Sequence, residues 1–188
     1  MGRIIVTGFV SLDGIVTDPD GSGGTPVGGW AFRHGPETVG GDKFRLGELM
    51  DSGALLLGRN TWELFSRLWP NRTDEFSTRM NKMAKVVASR TLTDLSAWSN
   101  SSLLEGELTD YVRAEPRDIA VTGSLSVIRA LQAADLVDEY RLMTFPSIVG
   151  AGEKLFAASD TPVHLRLASV VQTGAASLAT YERSEGRG

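Results

Sequence analysis

The sequence predicts an α/β fold in which a mainly parallel sheet finishes in antiparallel strands. Up to about residue 134, short aliphatic runs alternate with segments of helical periodicity, which is the pattern of strand–helix–strand units. Beyond that point, three strand-like segments follow one another with no clear helix between them. Consecutive strands that lack crossover helices favour antiparallel pairing, so the sheet is expected to change character near its end.

Each predicted strand is a short run of aliphatic and β-branched residues bounded by turn residues. The segments of this kind are 4–10, 54–57, 85–89, 101–104, 119–122, 139–145, 165–173 and 177–182. Apolar residues at helical spacing predict helices over 42–50, from 61, around 75–83, over 107–113 and over 125–134. Residues 13–41 are rich in Gly, Pro and Asp and are predicted to form a long loop, and loops of that length are commonly functional.

Length and composition predict one domain over residues 1–183, followed by a polar tail over 184–188. The net charge of −4 argues against a nucleic-acid partner, which would require a basic face. There are no cysteines, which excludes disulfides and thiolate metal sites and favours a cytoplasmic location. The apolar runs are too short to cross a membrane, and His34 and His164 stand alone, so we expect neither a membrane partner nor a metal site.

The turn after the second predicted strand has the composition of an anion site. Gly58 allows a ligand to approach the backbone, and the Arg59 guanidinium suits a phosphate. Asn60 is the predicted N-cap of a helix that starts at Thr61, with Glu63 completing a capping-box pattern. The backbone N–H groups of such a first turn favour an anion.

Two further strand ends repeat this composition. Ser89 and Arg90 follow the third strand, and Gly123 follows 119–122, with Ser124 as the predicted N-cap of the next helix. Taken singly, each is also an ordinary turn. Because ligands of open α/β sheets bind outside the carboxyl ends of the strands, the three together predict a ligand with several phosphates, such as a dinucleotide.

Four separated motifs carry a family resemblance. The segments LLLGRNTWE, VVASRTL, VTGSLSVIRAL and LVDEYRLMTFPSIVGAGEKLF resemble the dihydrofolate reductase-like superfamily. Within it they are most similar to small bacterial members related to the reductase half of riboflavin-pathway bifunctional deaminase–reductases. The resemblance implies a three-layer α/β fold with a central, mainly parallel sheet of about eight strands, an NADPH cofactor and a homodimer.

The resemblance also assigns cofactor contacts by position. The residues that it implies are Gly58, Arg59, Asn60 and Thr61 for the cofactor phosphates, Ser89 and Arg90 for the adenosine 2′-phosphate, and Gly123, Ser124, Leu125 and Ser126 for the pyrophosphate. Many relatives have two adjacent glycines where this chain has Gly123 and Ser124, a departure that leaves the backbone donors in place.

Substrate contacts are expected from the first strand, the long loop and the helix after it. The candidates are Phe9, Asp13, Trp30 and Phe44. Asp13 matches a position near the substrate pocket of the riboflavin-type reductases, and it is the predicted catalytic acid or substrate hydrogen-bond partner. Asp-Gly is equally a common turn dipeptide, and that alternative stays open.

The leading hypothesis is an NADPH-dependent oxidoreductase that reduces a CH–NH, C=N or C=O group of a small heterocyclic substrate. The reaction that it most resembles is that of 5-amino-6-(5-phosphoribosylamino)uracil reductase in riboflavin biosynthesis. Dihydrofolate reductase activity is an alternative, although no carboxylate follows Trp30 at the spacing of folate-reducing enzymes. A non-catalytic dinucleotide sensor and an acidic binding module without cofactor are the alternatives from other classes. Deamination is excluded, because the chain has neither an H-x-E nor a P-C-x-x-C segment.

Overall fold

The computed structural model describes residues 1–184, so most of the predicted polar tail, 185–188, lies outside the described residues. The strands are β1 Ile4–Ser11, β2 Ala54–Gly58, β3 Ala84–Ala88, β4 Ser101–Leu103, β5 Ile119–Gly123, β6 Glu139–Phe145, β7 Leu165–Thr173 and β8 Ala176–Arg183. The helices are α1 Pro36–Val39, α2 Leu49–Ser52, α3 Arg59–Leu68, α4 Glu75–Lys82, α5 Leu108–Ala114 and α6 Leu125–Ala133, with a 3-10 helix at Phe32–His34. No helix within residues 1–184 is both long enough and apolar enough to span a membrane.

The strands form one sheet in the order β4-β3-β2-β5-β1-β6-β8-β7. The pairs β1–β5, β2–β5, β2–β3 and β3–β4 are parallel, whereas β6–β8 and β7–β8 are antiparallel. The predicted α/β class, with about eight strands and an antiparallel end, is confirmed.

The chain divides into two compact units, which we describe separately. The first unit comprises Met1–Val6 and Arg45–Val137, and the second comprises Thr7–Phe44 and the chain from Asp138 onward. This division does not show whether either unit folds without the other, so the single domain over 1–183 stays a prediction.

The first unit is built on β2, whose five residues are all buried. Its Ala-Leu-Leu-Leu-Gly sequence is uniformly apolar because a strand with parallel neighbours on both sides has no solvent-facing surface. The register between β2 and β5 shifts after Leu56, so that Leu57 lies opposite Gly123. This shift sets the relative height of the two turns that follow these strands.

A buried lysine supports the end of α4 in the first unit. Lys85 on β3 is 0% exposed, and its ammonium donates hydrogen bonds to the backbone carbonyls of Met80, Asn81 and Met83, at 3.0, 3.0 and 2.6 Å. The ammonium also lies 4.5 Å from the centroid of the Trp98 ring. The side chain therefore satisfies carbonyls at a helix C-terminus, which have no partner within the helix.

A second polar network supports the end of α5. The Glu115 carboxylate accepts hydrogen bonds from the Tyr111 hydroxyl at 2.8 Å and from the Arg117 guanidinium at 2.7 and 2.9 Å. The Glu115 carbonyl accepts the Gly2 N–H at 2.9 Å, which ties the start of the chain to this helix end. Hydrogen bonding to Arg117 lowers the pKa of Glu115 to about 2, although burial opposes this shift.

In the second unit, β6, β8 and β7 form an antiparallel end of the sheet. β7 is the edge strand, and most of its side chains are exposed, including Leu167 at 53% and Val170 at 57%. On β6, by contrast, Met143 and Phe145 are fully buried. The core of this unit therefore lies against β6 rather than against the edge.

The predicted helix over 42–50 is wrong, because only Leu49–Ser52 is helical. Arg45 and Gly47 have φ values of 53° and 55°, which a right-handed helix does not allow. The apolar spacing was nevertheless meaningful, since Phe44 and Leu46 are both buried.

The long loop is more ordered than predicted. Besides the 3-10 helix, it contains α1, which starts with a proline as helices commonly do. The Asp18 carboxylate organises its first half by accepting hydrogen bonds from the N–H groups of Gly23 and Thr25, at 2.7 and 2.9 Å, and from the Thr25 hydroxyl. These bonds lower the pKa of Asp18 against the opposing effect of burial.

Candidate functional site

A polar cavity of about 330 Å³ lies in the first unit, at the carboxyl ends of three parallel strands. It is lined by residues from the turns after β2, β3 and β5, namely Gly58, Arg59, Asn60, Ala88, Ser89, Arg90, Thr91, Ser124 and Ser126. The volume falls at the lower end of the range for ligand sites in proteins. The structure thus brings together most of the predicted cofactor residues from three separated segments.

The start of α3 differs from the prediction. The helix begins at Arg59 with Gly58 as its N-cap, so the assignment of Asn60 as N-cap and Thr61 as first helical residue is wrong. No side chain in the described part of the chain caps this helix start. Asn60 is instead the second residue of the helix and lines the cavity. The N–H groups of the first turn are therefore left to solvent or to a ligand.

Gly58 is required by the protein's own packing. A Cβ at this position would lie 2.3 Å from the Ser124 hydroxyl oxygen and 3.0 Å from the Ser124 backbone nitrogen. Its φ of −79° is ordinary for any residue, so the constraint is space rather than backbone conformation. Gly58 was predicted to leave space for a phosphate. In the structure, that space is occupied by Ser124 of the turn after β5.

The turn after β5 meets the same constraint from the other side. Gly123 has φ 146°, and a Cβ there would lie 2.6 Å from the Thr61 hydroxyl oxygen. The Thr61 hydroxyl donates to the Ser124 hydroxyl at 3.3 Å, and the Gly123–Ser124 peptide bond is cis. Ser124 is the N-cap of α6, as predicted, although its side chain makes no capping hydrogen bond to the first turn of the helix.

Thr61, Gly123 and Leu125 do not line the cavity, in contrast to the other predicted cofactor residues. Thr61 and Gly123 hold the two turns against each other, as the contacts above show. Ser126, the second residue of α6, does line the cavity.

The turn after β3 is shaped by a serine hydroxyl. Ser89 Oγ accepts hydrogen bonds from the backbone N–H groups of Thr91 and Leu92, at 3.2 and 3.0 Å. The Ser89 hydroxyl hydrogen can still be donated to a ligand, and Arg90 beside it is exposed. Ala88 and Thr91 also line the cavity and were absent from the predicted cofactor set. Their place at the carboxyl end of β3 was the signal that could have included them.

The cavity suits a ligand with several phosphates. Arg59 and Arg90 supply two permanent positive charges, and hydroxyl groups supply further donors. Within residues 1–184, none of the side chains that line the cavity is acidic. Two helix starts without side-chain caps, α3 and α6, add backbone donors at the same place. The residues present therefore fit the phosphates of a dinucleotide.

Among the residues that the structure describes, no three His, Cys, Asp or Glu side chains are grouped so that they could hold a metal ion. The candidate chemistry must therefore be argued from hydrogen bonds and charge.

Two predicted substrate residues, Phe9 and Phe44, lie together in the second unit. Their ring centroids are 5.5 Å apart, and Phe9 also packs edge-on against Phe145 at 5.0 Å. The Lys43 ammonium lies 5.3 Å from the Phe9 ring and 5.6 Å from the Phe44 ring. Phe32 meets Phe9 at 6.5 Å and is 51% exposed. Phe44 itself is buried, so Phe9 and Phe32 offer the accessible part of this aromatic cluster.

Trp30 does not offer a surface for a substrate. It is 4% exposed, its Nε1 donates to the Thr17 carbonyl at 2.8 Å, and its ring packs edge-on against Phe145 at 5.7 Å. These contacts make it a core residue that anchors the long loop, so the predicted substrate contact is not supported.

The Asp13 carboxylate is engaged within the protein, by Ser11 in its own turn and by the segment that follows β6. Its carboxylate accepts hydrogen bonds from the Ser11 hydroxyl at 2.6 Å and from the N–H groups of Val149 and Gly150, at 3.1 and 2.7 Å. Foremost the bond from Ser11, and then the two backbone bonds, lower the pKa of Asp13 to about 2. A carboxyl group that stays ionised is a poor proton donor at neutral pH. The contacts favour the turn interpretation, and the catalytic role of Asp13 stays a prediction.

His34 has a defined partner in the second unit. Its Nε2 lies 2.8 Å from the Ser147 hydroxyl, and its ring lies 5.8 Å from the Phe145 ring. This half-buried contact joins the 3-10 helix to the segment after β6, in agreement with the structural role expected of an isolated histidine.

The sheet order and the cavity at the strand ends define an α/β domain with a polar site at the carboxyl ends of its parallel strands. The model of the RibD C-terminal domain family matches residues 3–178, and the chain belongs to that family. This family typically binds a nicotinamide dinucleotide. The resemblance drawn from the four sequence motifs is confirmed.

Individual relatives agree with this family. The uncharacterized protein YyaP of Bacillus subtilis strain 168 is 27% identical over 121 residues, which are 60% of this chain and 64% of that protein. A putative riboflavin biosynthesis protein from Shewanella sp. PV-4 has a similar structure, with a TM-score of 0.74, 23% identity and coverage of 97% of this chain and 99% of that one.

Two further structures are similar at lower identity. A pyrimidine reductase-like protein from Corynebacterium diphtheriae has a TM-score of 0.64 and 14% identity, covering 98% of this chain and 93% of that one. RibD of Acinetobacter baumannii has a TM-score of 0.63 and 16% identity, covering 98% of this chain and 59% of that one. At such identities the structures show a common fold.

Proposed function

We propose that this chain is an NADPH-dependent oxidoreductase that reduces a CH–NH, C=N or C=O group of a small heterocyclic substrate. The observation that carries the proposal is the cavity of the first unit, where two arginines and two uncapped helix starts converge at the ends of three parallel strands. Bound NADPH supplies the hydride, so the protein has to bind, orient and protect the reactants.

Each turn has a distinct role in this proposal. The backbone of the first turn of α3, together with Arg59 and Asn60, holds phosphate oxygens. Ser124 and Ser126 approach the pyrophosphate from the start of α6. Ser89 and Arg90 bind the adenosine 2′-phosphate, which selects NADPH over NADH. In the second unit, the half-buried ring of Phe9 and the exposed ring of Phe32 offer apolar contacts to a heterocyclic ring.

The proposed reaction is most like that of 5-amino-6-(5-phosphoribosylamino)uracil reductase, because the chain spans the C-terminal domain of RibD and similar structures are named for riboflavin biosynthesis. We place this activity in the cytoplasm, in accordance with the absence of cysteine. A nucleotide sensor without turnover is a second candidate, which one observation favours: the carboxylate of the predicted acid, Asp13, is already occupied by hydrogen bonds from Ser11, Val149 and Gly150.

The experiment is a titration with NADPH and with NADH, followed by tryptophan fluorescence and melting temperature, and then by NADPH oxidation with the uracil substrate. Arg90→Ala should weaken NADPH binding about 10- to 100-fold and leave NADH binding nearly unchanged, because a charge-assisted bond to a phosphate is lost. Arg67→Ala, an exposed arginine at the far end of α3, is the matched control and should change neither affinity.

The outcomes separate the candidates. Preference for NADPH with oxidation by the substrate supports the reductase, whereas binding without oxidation supports the sensor. A melting temperature that saturating nucleotide leaves unchanged would count against both. Equal loss of NADPH and NADH affinity in Arg90→Ala would remove the 2′-phosphate assignment.

We also propose that the chain forms a homodimer through its edge strand. β7 exposes the apolar side chains of Leu167 and Val170, and an edge strand presents one row of unpaired backbone groups that a second copy can satisfy. A strand that pairs antiparallel with its own copy gives the self-complementary contact of a two-fold dimer.

A further inference from the structure

Glu63, the first acidic residue of α3, lies close to Arg59, which is one of the two arginines that line the cavity. Glu63 Oε1 lies 3.9 Å from Arg59 Nη1, one helical turn away, with the two side chains 37% and 50% exposed. Arg59 lines the cavity, whereas Glu63 does not. The sequence pattern predicts that Glu63 turns back to cap the helix start, but no such cap forms within residues 1–184. The carboxylate instead engages the guanidinium.

This arrangement sets up a competition for one guanidinium. Arg59 can bind a carboxylate or a phosphate with the same planar set of donors. The pair with Glu63 is long and half-exposed, and pairs of this kind are weak, so a phosphate can displace the carboxylate. Because the first turn of α3 contains no acidic residue, Glu63 is the nearest negative charge on this helix to the anion site.

We infer that Glu63 sets the affinity of the nucleotide site, because its carboxylate holds Arg59 until a ligand phosphate takes its place. The inference rests on the proposed function only in that the ligand carries phosphates, and it does not require turnover. Any phosphate ligand of the cavity must compete with Glu63, and removal of the carboxylate strengthens binding.

The test compares the wild type with Glu63→Gln, which keeps the shape of the side chain and removes its charge. Both are titrated with 2′,5′-ADP and with NADPH, with Trp62 on α3 as the fluorescence reporter and calorimetry as a second readout. Glu63→Gln should bind both ligands about 2- to 5-fold more tightly, the scale of an exposed ion pair. The gain should shrink between about 0.05 M and about 0.5 M salt, because exposed charges are screened.

The control is a matching ion pair elsewhere on the same unit. Arg113 and Asp110 on α5 also lie 3.9 Å apart and are exposed, but neither lines the cavity. Asp110→Asn should therefore leave the affinity for 2′,5′-ADP unchanged. If Asp110→Asn strengthens binding as much as Glu63→Gln does, general charge explains the effect and the inference is overturned.

A double variant distinguishes competition for Arg59 from direct repulsion of the ligand. In an Arg59→Met background, Glu63→Gln should lose most of its gain, and a gain that persists in full would overturn the competition. Unchanged or weaker binding by Glu63→Gln alone would overturn it as well. If both proteins bind 2′,5′-ADP with the expected difference but neither oxidises NADPH, the proposed reductase activity fails and the inference stands.

Discussion

At the scale of single residues, the most informative contact joins Gly58 to Ser124. The two turns after β2 and β5 approach so closely that a side chain at Gly58 would overlap the serine hydroxyl. Small residues at strand ends therefore serve two purposes here: they bring the starts of α3 and α6 together, and they leave backbone donors uncovered. A sequence pattern of glycine before a helix identifies the place but cannot tell which neighbour uses the space.

Gly58→Ala should destabilise the protein by about 1–3 kcal/mol, the usual cost of overpacking a close contact. The physical reason is the overlap with Ser124, which includes a backbone nitrogen that cannot rotate away. Urea denaturation measures the change. Gly8→Ala in β1 is the control, because no atom lies within 4 Å of a Cβ at that position. Adding Ser124→Gly should recover part of the loss, and no recovery would contradict this explanation.

At the scale of elements, the buried polar side chains of Lys85 and Glu115 make hydrogen bonds at the C-terminal ends of α4 and α5. The periodicity of apolar residues predicts most helices and all strands to within a few residues, because burial against a sheet imposes that spacing. The helix over 42–50 fails because Arg45 and Gly47 adopt left-handed conformations, which apolar spacing does not report. The role of Lys85 was also missed, since a lysine inside a strand pattern reads as a solvent-facing residue.

Lys85→Met should destabilise the protein by about 2–4 kcal/mol, because buried backbone carbonyls at the end of α4 lose a charged donor. Burial lowers the pKa of Lys85 to about 8, so the ammonium form still predominates at pH 7. Thermal and urea unfolding at pH 7 check the value. Lys82→Met, an exposed lysine of the same helix, should change stability little. Equal stability of Lys85→Met and wild type would show that the carbonyls find other partners.

Glu115→Gln should destabilise the protein by about 2–3 kcal/mol at pH 7, since a charge-assisted pair with Arg117 becomes neutral. The folded-state pKa of Glu115 is lowered from 4.5 to about 2, so its stabilising effect is present above pH 4.5. The difference between wild type and variant should shrink as the pH falls from 4.5 towards 2. Urea titrations across this range measure it, with Glu105→Gln as an exposed control; a difference independent of pH would contradict the linkage.

At the scale of the whole molecule, the fold class was predictable because alternation of strands and helices leaves few arrangements open. The candidate cavity was predictable to the level of the turns that line it, because strand ends in a parallel sheet converge at one edge. The substrate residues were less predictable. Trp30 and Asp13 are both committed to contacts within the second unit, and such contacts depend on distant segments that no local pattern encodes.

If the chain forms the proposed homodimer, light scattering after size-exclusion chromatography should give twice the mass of one chain. Leu167→Glu should shift the protein towards monomer, because a charge then replaces an apolar side chain on the edge strand. Ile148→Glu is the control, since Ile148 is 79% exposed but lies outside β7. A monomeric wild type, or a dimer that Leu167→Glu leaves intact, would remove β7 as the interface.

The division of the chain between the two units has a consequence for synthesis on the ribosome. All residues of the first unit lie at or before Val137, and every turn that lines the cavity lies between residues 58 and 126. All residues of the first unit are therefore already synthesised while the ribosome is still translating residues 138 onward. Residues 7–44 belong to the second unit and wait for strands that are made last. The residues that line the candidate cavity are thus all made before β6, β7 and β8, the strands that complete the second unit.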